Sequence, residues 1–218
     1  MISRSQFAGP DPDCGLCPRL RGFIQDQRAL HPDWHNAPVP AFGELDARLL
    51  IVGLAPGLRG ANMTGRPFTG DYAGDLLYAT LAAFGLTAGV YGATADDGFR
   101  LVDCRVTNAV RCVPPENRPV GAEVAACRNF LIDEMAAMRN LRVIVALGGL
   151  AHGAVLAALG QRKSAFKFAH GAVHLPEPGD ACLRLVDSYH CSRYNTNTKR
   201  LTEEMFHDVF RTVSELLE

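Results

Sequence analysis

The chain has 218 residues, of which 48% are hydrophobic and 21% charged, the balance of an ordinary soluble globular protein. That length suits one domain with elaborations and a core that needs no disulfide staples; the composition excludes wholesale disorder, a coiled coil and a collagen-like chain. Lys and Arg number 22 against 23 Asp and Glu, a net charge of −1, so any binding to nucleic acid requires positive residues concentrated on one face.

No apolar run approaches the ~20 residues that span a bilayer, and the opening residues lack the apolar core of a secretory signal. A cytoplasmic protein with no membrane association is therefore expected. Seven cysteines are too few for a disulfide scaffold. In a reducing compartment, clustered cysteines point to metal binding or catalysis.

Residues 1–47 are rich in Pro, Asp and Arg and lack a long apolar period. They hold Cys14-Gly-Leu-Cys17, and a short helix is expected near Leu20 to Leu30. Arg48 to Gly53 is a continuous apolar run stopped by glycine, the pattern of a strand buried on both faces of a parallel sheet. A loop rich in Gly and Pro follows to Gly70. Residues 72–84 have helical spacing and end at Gly85. Phe99 to Val106 reads as a strand and Val120 to Met138 as a helix. Val143 to Leu147 is a second buried strand, Leu150 to Leu159 a helix, Leu183 to Val186 a short strand, and Leu201 to Leu217 a closing amphipathic helix. Strands alternating with helices predict an α/β fold with a parallel sheet. Ligands in such folds sit beyond the carboxyl ends of the strands, so the loops 53–71, 107–119 and 188–200 should face one crevice.

Five segments could carry chemistry. The first is a set of four cysteines, Cys14-x2-Cys17 and Cys112-x14-Cys127. Four thiolates can chelate one metal centre, and their spacing alone does not separate zinc from an iron–sulfur cluster. Cys104, Cys182 and Cys191 read as ordinary buried thiols. The second is Gly53-Leu-Ala-Pro-Gly57, where small residues let a ligand approach the backbone; taken alone it reads first as a tight strand-to-loop turn. The third is Thr64-Gly-Arg-Pro-Phe-Thr-Gly-Asp71. Phe68 could stack on a planar ligand, or fill the core. Asp71 could be a base, although on sequence it reads first as the N-cap of the following helix.

The fourth segment runs from Thr107 to Pro119, where Asn108 offers the donor–acceptor pair that reads an amide edge. The fifth, Ser188 to Thr198, places His190 at a strand end among small polar residues, a context that favours function over structure. Between the last two strands, Arg162, Lys163, Lys167, His170 and His174 interleave with Phe166 and Phe168. That pattern is a candidate nucleic-acid surface or a plain solvated loop.

Taken together, these segments resemble the uracil-DNA glycosylase superfamily, most closely its family 5, the UDGb type. The resemblance covers nearly the whole chain in order. It rests on Gly53 to Gly57, Thr64 to Asp71, Ala109 to Pro119, the run starting at Lys163, and His190 to Thr198. It implies a three-layer α/β/α fold around a four-stranded parallel sheet, as one domain over 1–218. Residues 1–47 would be tied down by a structural 4Fe–4S cluster on Cys14, Cys17, Cys112 and Cys127. Family 4 carries an acid where Leu54 stands, and family 5 lacks it, as this chain does. Asn108 is instead a family 4 feature.

The implied activity is monofunctional excision of uracil, with hypoxanthine and xanthine as further candidates, from DNA containing deaminated bases. Such an enzyme initiates base excision repair and would act as a monomer. A flipped base would stack on Phe68, be read by Asn108 and be enclosed by Gly53, Ala55, Pro56 and Gly57. His190 would donate to the departing base, Asp71 would support the cationic sugar and the attacking water, and Asn117 would help orient them. Arg162, Lys163, Arg193, Tyr194 and Asn195 would contact DNA. The alternatives are a family 4-like enzyme restricted to uracil, a non-catalytic iron–sulfur protein that senses damage, and a hydrolase whose cysteines hold zinc.

Overall fold

The computed structural model describes residues 7–176 and 183–218. Its centre is a sheet of four parallel strands: β1 (Leu49–Gly53), β4 (Cys104–Asn108), β5 (Val143–Leu147) and β7 (Arg184–Ser188), in the spatial order β4-β1-β5-β7. Every residue of β1, β4 and β5 is buried. The unbroken apolar run of β1 has a direct cause, because both of its faces are covered. Leu49 and Ile51 point to one side with α3 (Tyr72–Ala83) and α7 (Glu203–Leu217). Leu50 and Val52 point to the other with α4 (Gly121–Ala137) and α5 (Gly149–Ala158). The fold is the expected three-layer α/β/α arrangement.

Two departures have local physical reasons. The expected strand from Phe99 splits into β3 (Arg100–Leu101) and β4. Asp103 interrupts it at φ 51°, and its carboxylate accepts from Arg48 N at 2.8 Å and Arg48 Nε at 2.6 Å. That turn starts β1 and β4 side by side, while β3 pairs instead with β2 (Thr87–Ala88) in a small hairpin. The sheet also gains a fifth, antiparallel edge strand, β6 (Val173–His174), which pairs with β7. The sequence reads β6 as loop because it spans only two residues.

Register places the chemistry. Gly53 pairs with Asn108, and Leu147 with Ser188, so all four parallel strands end on the same side. The N-terminal segment is anchored there by α1 (Pro18–Leu30), whose Pro18 stands at the first helical position, where no hydrogen-bonding N–H is needed. Arg19 grips Glu123 of α4 with two contacts of 2.8 Å. Val39 N donates to Arg111 O at 2.7 Å, and Phe42 bridges Val106. Among the described residues no helix is long and apolar enough to cross a membrane.

Candidate active site at the carboxyl ends of the strands

The three loops do meet in one crevice of about 680 Å³, within the usual size of small-molecule sites. Its walls include Ala55, Pro56 and Gly57 after β1, Phe68 and Asp71 before α3, Asn108 at the end of β4 and Asn117 after it, and His190 and Arg193 after β7. Backbone hydrogen bonds lace these loops together: Ala109 N donates to Gly53 O and Val110 N to Leu54 O, each at 2.9 Å.

Gly53 lies behind that wall, where a side chain is excluded. A Cβ there would fall 2.4 Å from Asn108 Oδ1 and 2.7 Å from Phe68 Cζ, so glycine lets the reading amide and the stacking ring stand close together. Phe68 is buried and holds φ 51°, an unfavourable backbone for a bulky residue. Its surroundings enforce it. A Cβ on Gly74 would lie 1.8 Å from Phe68 O, so only glycine in the first turn of α3 lets that carbonyl pass. Two residues upstream, Arg66 is buried in a fork with Asp97 (2.8 and 2.7 Å), donates to Thr69 Oγ1 at 2.8 Å, and is ringed by Phe42, Tyr78, Tyr91 and Phe99 at 5.0–5.8 Å. The guanidinium beside Asp97 holds that carboxyl well below the usual carboxylate range. A bidentate buried pair of this kind is stiff, and it braces the segment that carries Phe68 and Asp71.

Asp71 is the N-cap of α3 and also reaches the crevice. Oδ1 accepts from Gly74 N at 3.1 Å as the N-cap of α3. Oδ2 sits against Gly57 and Gly60, and the residue lines the crevice. The His190 ring stacks on Phe68, with centroids 5.9 Å apart and planes 29° apart. Burial pushes the His190 pKa down, and the Asp71 charge opposes that without reversing it. His190 is therefore neutral at pH 7, one nitrogen a donor and the other an acceptor.

Not every expected residue enters the crevice. Arg193 does, and its guanidinium lies 5.3 Å from the Tyr72 ring centroid. Tyr194 is 72% exposed beside it on α6 (Arg193–Asn197). The Asn195 amide instead donates to His190 O at 2.8 Å and steadies the loop. Arg162 and Lys163 do not line the crevice. Their loop climbs back along α5, with Lys163 against Gly153 and Phe168 against Gly149. Arg59, Tyr72 and Ser192 line the crevice but escape the sequence reading. Arg59 has a faint signal, a cation set between two glycines of the first loop.

The four cysteines converge elsewhere. Cys14, Cys17, Cys112 and Cys127 line one pocket walled by Pro10, Leu16, Leu20, Val110 and Phe130. Burial raises Cys17, Cys127 and Cys112, the last to about 12, and charge on the neighbouring sulfurs raises all three further. Thiolates that penalise one another in an apolar pocket are what a cationic centre relieves. The donor set thus fits a metal group held by four sulfurs. Cys104 and Cys191 are buried away from it, Cys191 donating to Ala73 O at 3.4 Å. Cys182 lies outside the described residues.

A parallel sheet whose strand ends present an acid, a desolvated histidine, a stacking ring and an amide defines a small-molecule or nucleobase site. Comparison with known proteins narrows the class: residues 40–214 match the family model of the uracil DNA glycosylase superfamily, and the chain belongs to that superfamily. It is 44% identical to a type-5 uracil-DNA glycosylase of Thermus thermophilus over 99% of both chains. It is 42% identical to a type-5 uracil-DNA glycosylase of Pyrobaculum aerophilum over 91% of this chain and 87% of the relative. A type-4 uracil-DNA glycosylase of the same archaeon is 33% identical over 76% of both.

Proposed function

We propose that this chain is a DNA glycosylase that hydrolyses the bond between uracil and C1′ of deoxyribose, the first step of base excision repair. The observation that carries this reading is the convergence of Asp71, His190, Phe68 and Asn108 on one crevice. As the bond stretches, its electron pair goes to the base and the sugar becomes cationic. The neutral His190 imidazole donates an N–H to the base oxygen where negative charge builds, which stabilises the transition state more than the ground state. The Asp71 carboxylate supports the cationic sugar and orients the water that adds to C1′. Asn117, exposed at the rim, helps place substrate and water. Phe68 stacks on the flipped base and the Asn108 amide reads its edge. Arg193 and Tyr194 meet the DNA backbone and the gap the base leaves. All these groups come from one chain, which supports action as a monomer.

We further propose that Cys14, Cys17, Cys112 and Cys127 hold a 4Fe–4S cluster. When bound it supplies a structural cross-link between the N-terminal segment and the 112–127 segment, and no chemistry at the crevice. The apolar pocket and the mutually opposed thiolates support this assignment.

Substrate breadth is a separate matter. Asn108 favours a uracil-reading site, while a crevice of about 680 Å³ also has room for a purine. The decisive experiment incubates the protein with labelled DNA carrying uracil, hypoxanthine or xanthine, then cleaves abasic sites with alkali. Abasic product from uracil is expected, and its absence would leave a non-catalytic damage sensor as the better reading. Asn108→Ala should cost uracil excision about tenfold or more, and hypoxanthine excision less, since a lost buried amide pairing is worth roughly 1–3 kcal/mol. Equal losses would remove the reading role of Asn108.

A further inference from the structure

Behind β7, on the side of the sheet that carries α5, lies a cluster that the glycosylase mechanism does not use. Asp187, in β7, is fully buried. Its Oδ1 meets His152 Nδ1 of α5 at 2.7 Å, and its Oδ2 meets His174 Nε2 of β6 at 2.9 Å. The three ligand-type atoms all lie within 4.8 Å of one another. We propose that His152, His174 and Asp187 form a binding site for a divalent transition-metal ion of the zinc class. The proposal is independent of the glycosylase reading.

The donor set is the first support. Two imidazole nitrogens and one carboxylate suit zinc and its neighbours, with solvent completing four-coordination. The second support is the environment of His152. Its Nε2 faces Phe166 O at 2.9 Å, which directs Nδ1 at Asp187. A metal-bound histidine almost always donates its other ring N–H in this way. Ala169 N donates to Asp187 Oδ2 at 3.3 Å and would hold the carboxylate in place. The edges of Phe168 and Phe166 close over His152 and His174, giving the site an apolar shell. His174 keeps slight solvent access, with 12% of its side chain exposed, which leaves an entry path.

The geometry makes the proposal specific. Both His152 nitrogens face oxygen atoms, a carboxylate and a carbonyl, and a metal would take the place between His152 Nδ1, His174 Nε2 and the carboxylate. The ligand distances of zinc, about 2.0–2.2 Å, space neighbouring donors by roughly 3.3 Å. The hydrogen-bonded pairs therefore need to open by only about half an ångström. The consequence reaches the DNA side. The metal would pin the loop 162–174, through His174, to the strand that ends two residues before His190.

The test titrates zinc chloride into the full chain as purified, by calorimetry. Zinc and iron content are measured by plasma emission, and thermal unfolding is followed with and without zinc. His174→Gln and Asp187→Asn serve as variants. Both keep the four cysteines, so the difference from the parent counts this site alone. One more zinc is expected in the parent than in either variant. The zinc-dependent rise in Tm should be about 5 °C or more at a hundredfold excess over Kd, and absent in the variants. If Asp187→Asn fails to fold, His174→Gln, at the more open edge strand, decides. Equal zinc content in parent and variants, or an equal zinc-dependent rise in Tm, would overturn the proposal and leave a hydrogen-bonded clamp between β6, β7 and α5.

Discussion

The crevice and the four-cysteine pocket make an instructive pair. Both are assembled from segments far apart in sequence, and both rest on the same frame of buried parallel strands. In the crevice the chain itself completes the arrangement. Asp71 caps α3 while lining the site, His190 stacks on Phe68, and the Arg66–Asp97 fork braces the loop between them. In the cysteine pocket the chain brings together groups that oppose one another's ionisation, with Arg111 easing Cys127 alone. The first region is organised to act on a ligand that comes and goes. The second is a set of four sulfurs of the kind a bound metal group would complete, as proposed above.

The contrast can be broken most severely at the crevice. Asp71→Ala and His190→Ala should each slow single-turnover excision by about 10²–10³, the usual worth of one preorganised transition-state group. Binding to damaged DNA should remain nearly unchanged, because both groups act on charge that develops only as the bond breaks. Rapid-quench assays alongside binding isotherms check this. Full activity in Asp71→Ala would mean that its N-cap contact is its whole role.

At the cysteine pocket the expected loss is of stability and colour rather than rate. Cys17→Ser should abolish absorption near ~400 nm and lower stability by about 2–4 kcal/mol, the range for a cross-link closing loops of this kind. Cys104→Ser and Cys191→Ser should keep the iron, since neither lines the pocket. Absorbance and chemical denaturation read both effects, and retained iron in Cys17→Ser would sink the assignment.

The smallest effect sharpens the account of the crevice. Burial lowers the His190 pKa and Asp71 partly restores it. Removing that charge in Asp71→Asn should move the His190 titration to still lower pH, as read by NMR of the imidazole. In the parent protein, the unfolded chain takes up a proton near pH 6.5 that folded His190 refuses. This group therefore costs stability as pH falls below about 6.5 and costs nothing well above it. A His190 titration that did not move in Asp71→Asn would mean the two groups do not sense each other.

Much of the molecule was legible in the sequence because its signals are local or periodic. The runs 48–53 and 143–147 are apolar throughout, and only strands covered on both faces need that. The apolar spacing of 201–217 marks a helix with one buried stripe, now seen as Phe206, Val209, Phe210, Val213 and Leu217. Loops that follow parallel strands share one end of the sheet by geometry, so the meeting of Asp71, Asn108 and His190 could be expected from topology alone. Family resemblance supplied the roles that spacing cannot.

Other features were settled only by the tertiary structure, because they depend on contacts between segments distant in sequence. Asp71 reads first as a cap, and the fold gives it that contact while also setting it in the crevice wall, since its two oxygens face different neighbours. The break at Asp103 follows from its grip on Arg48, 55 residues away. Arg66 looks like any loop cation until four rings and Asp97 close around it. Arg162 and Lys163 stand on a loop that folds back along α5, outside the crevice and exposed. The His152, His174 and Asp187 cluster leaves no motif at all. Composition and period carry the layers and the strand ends; side-chain pairing across the fold determines which polar residues become chemistry.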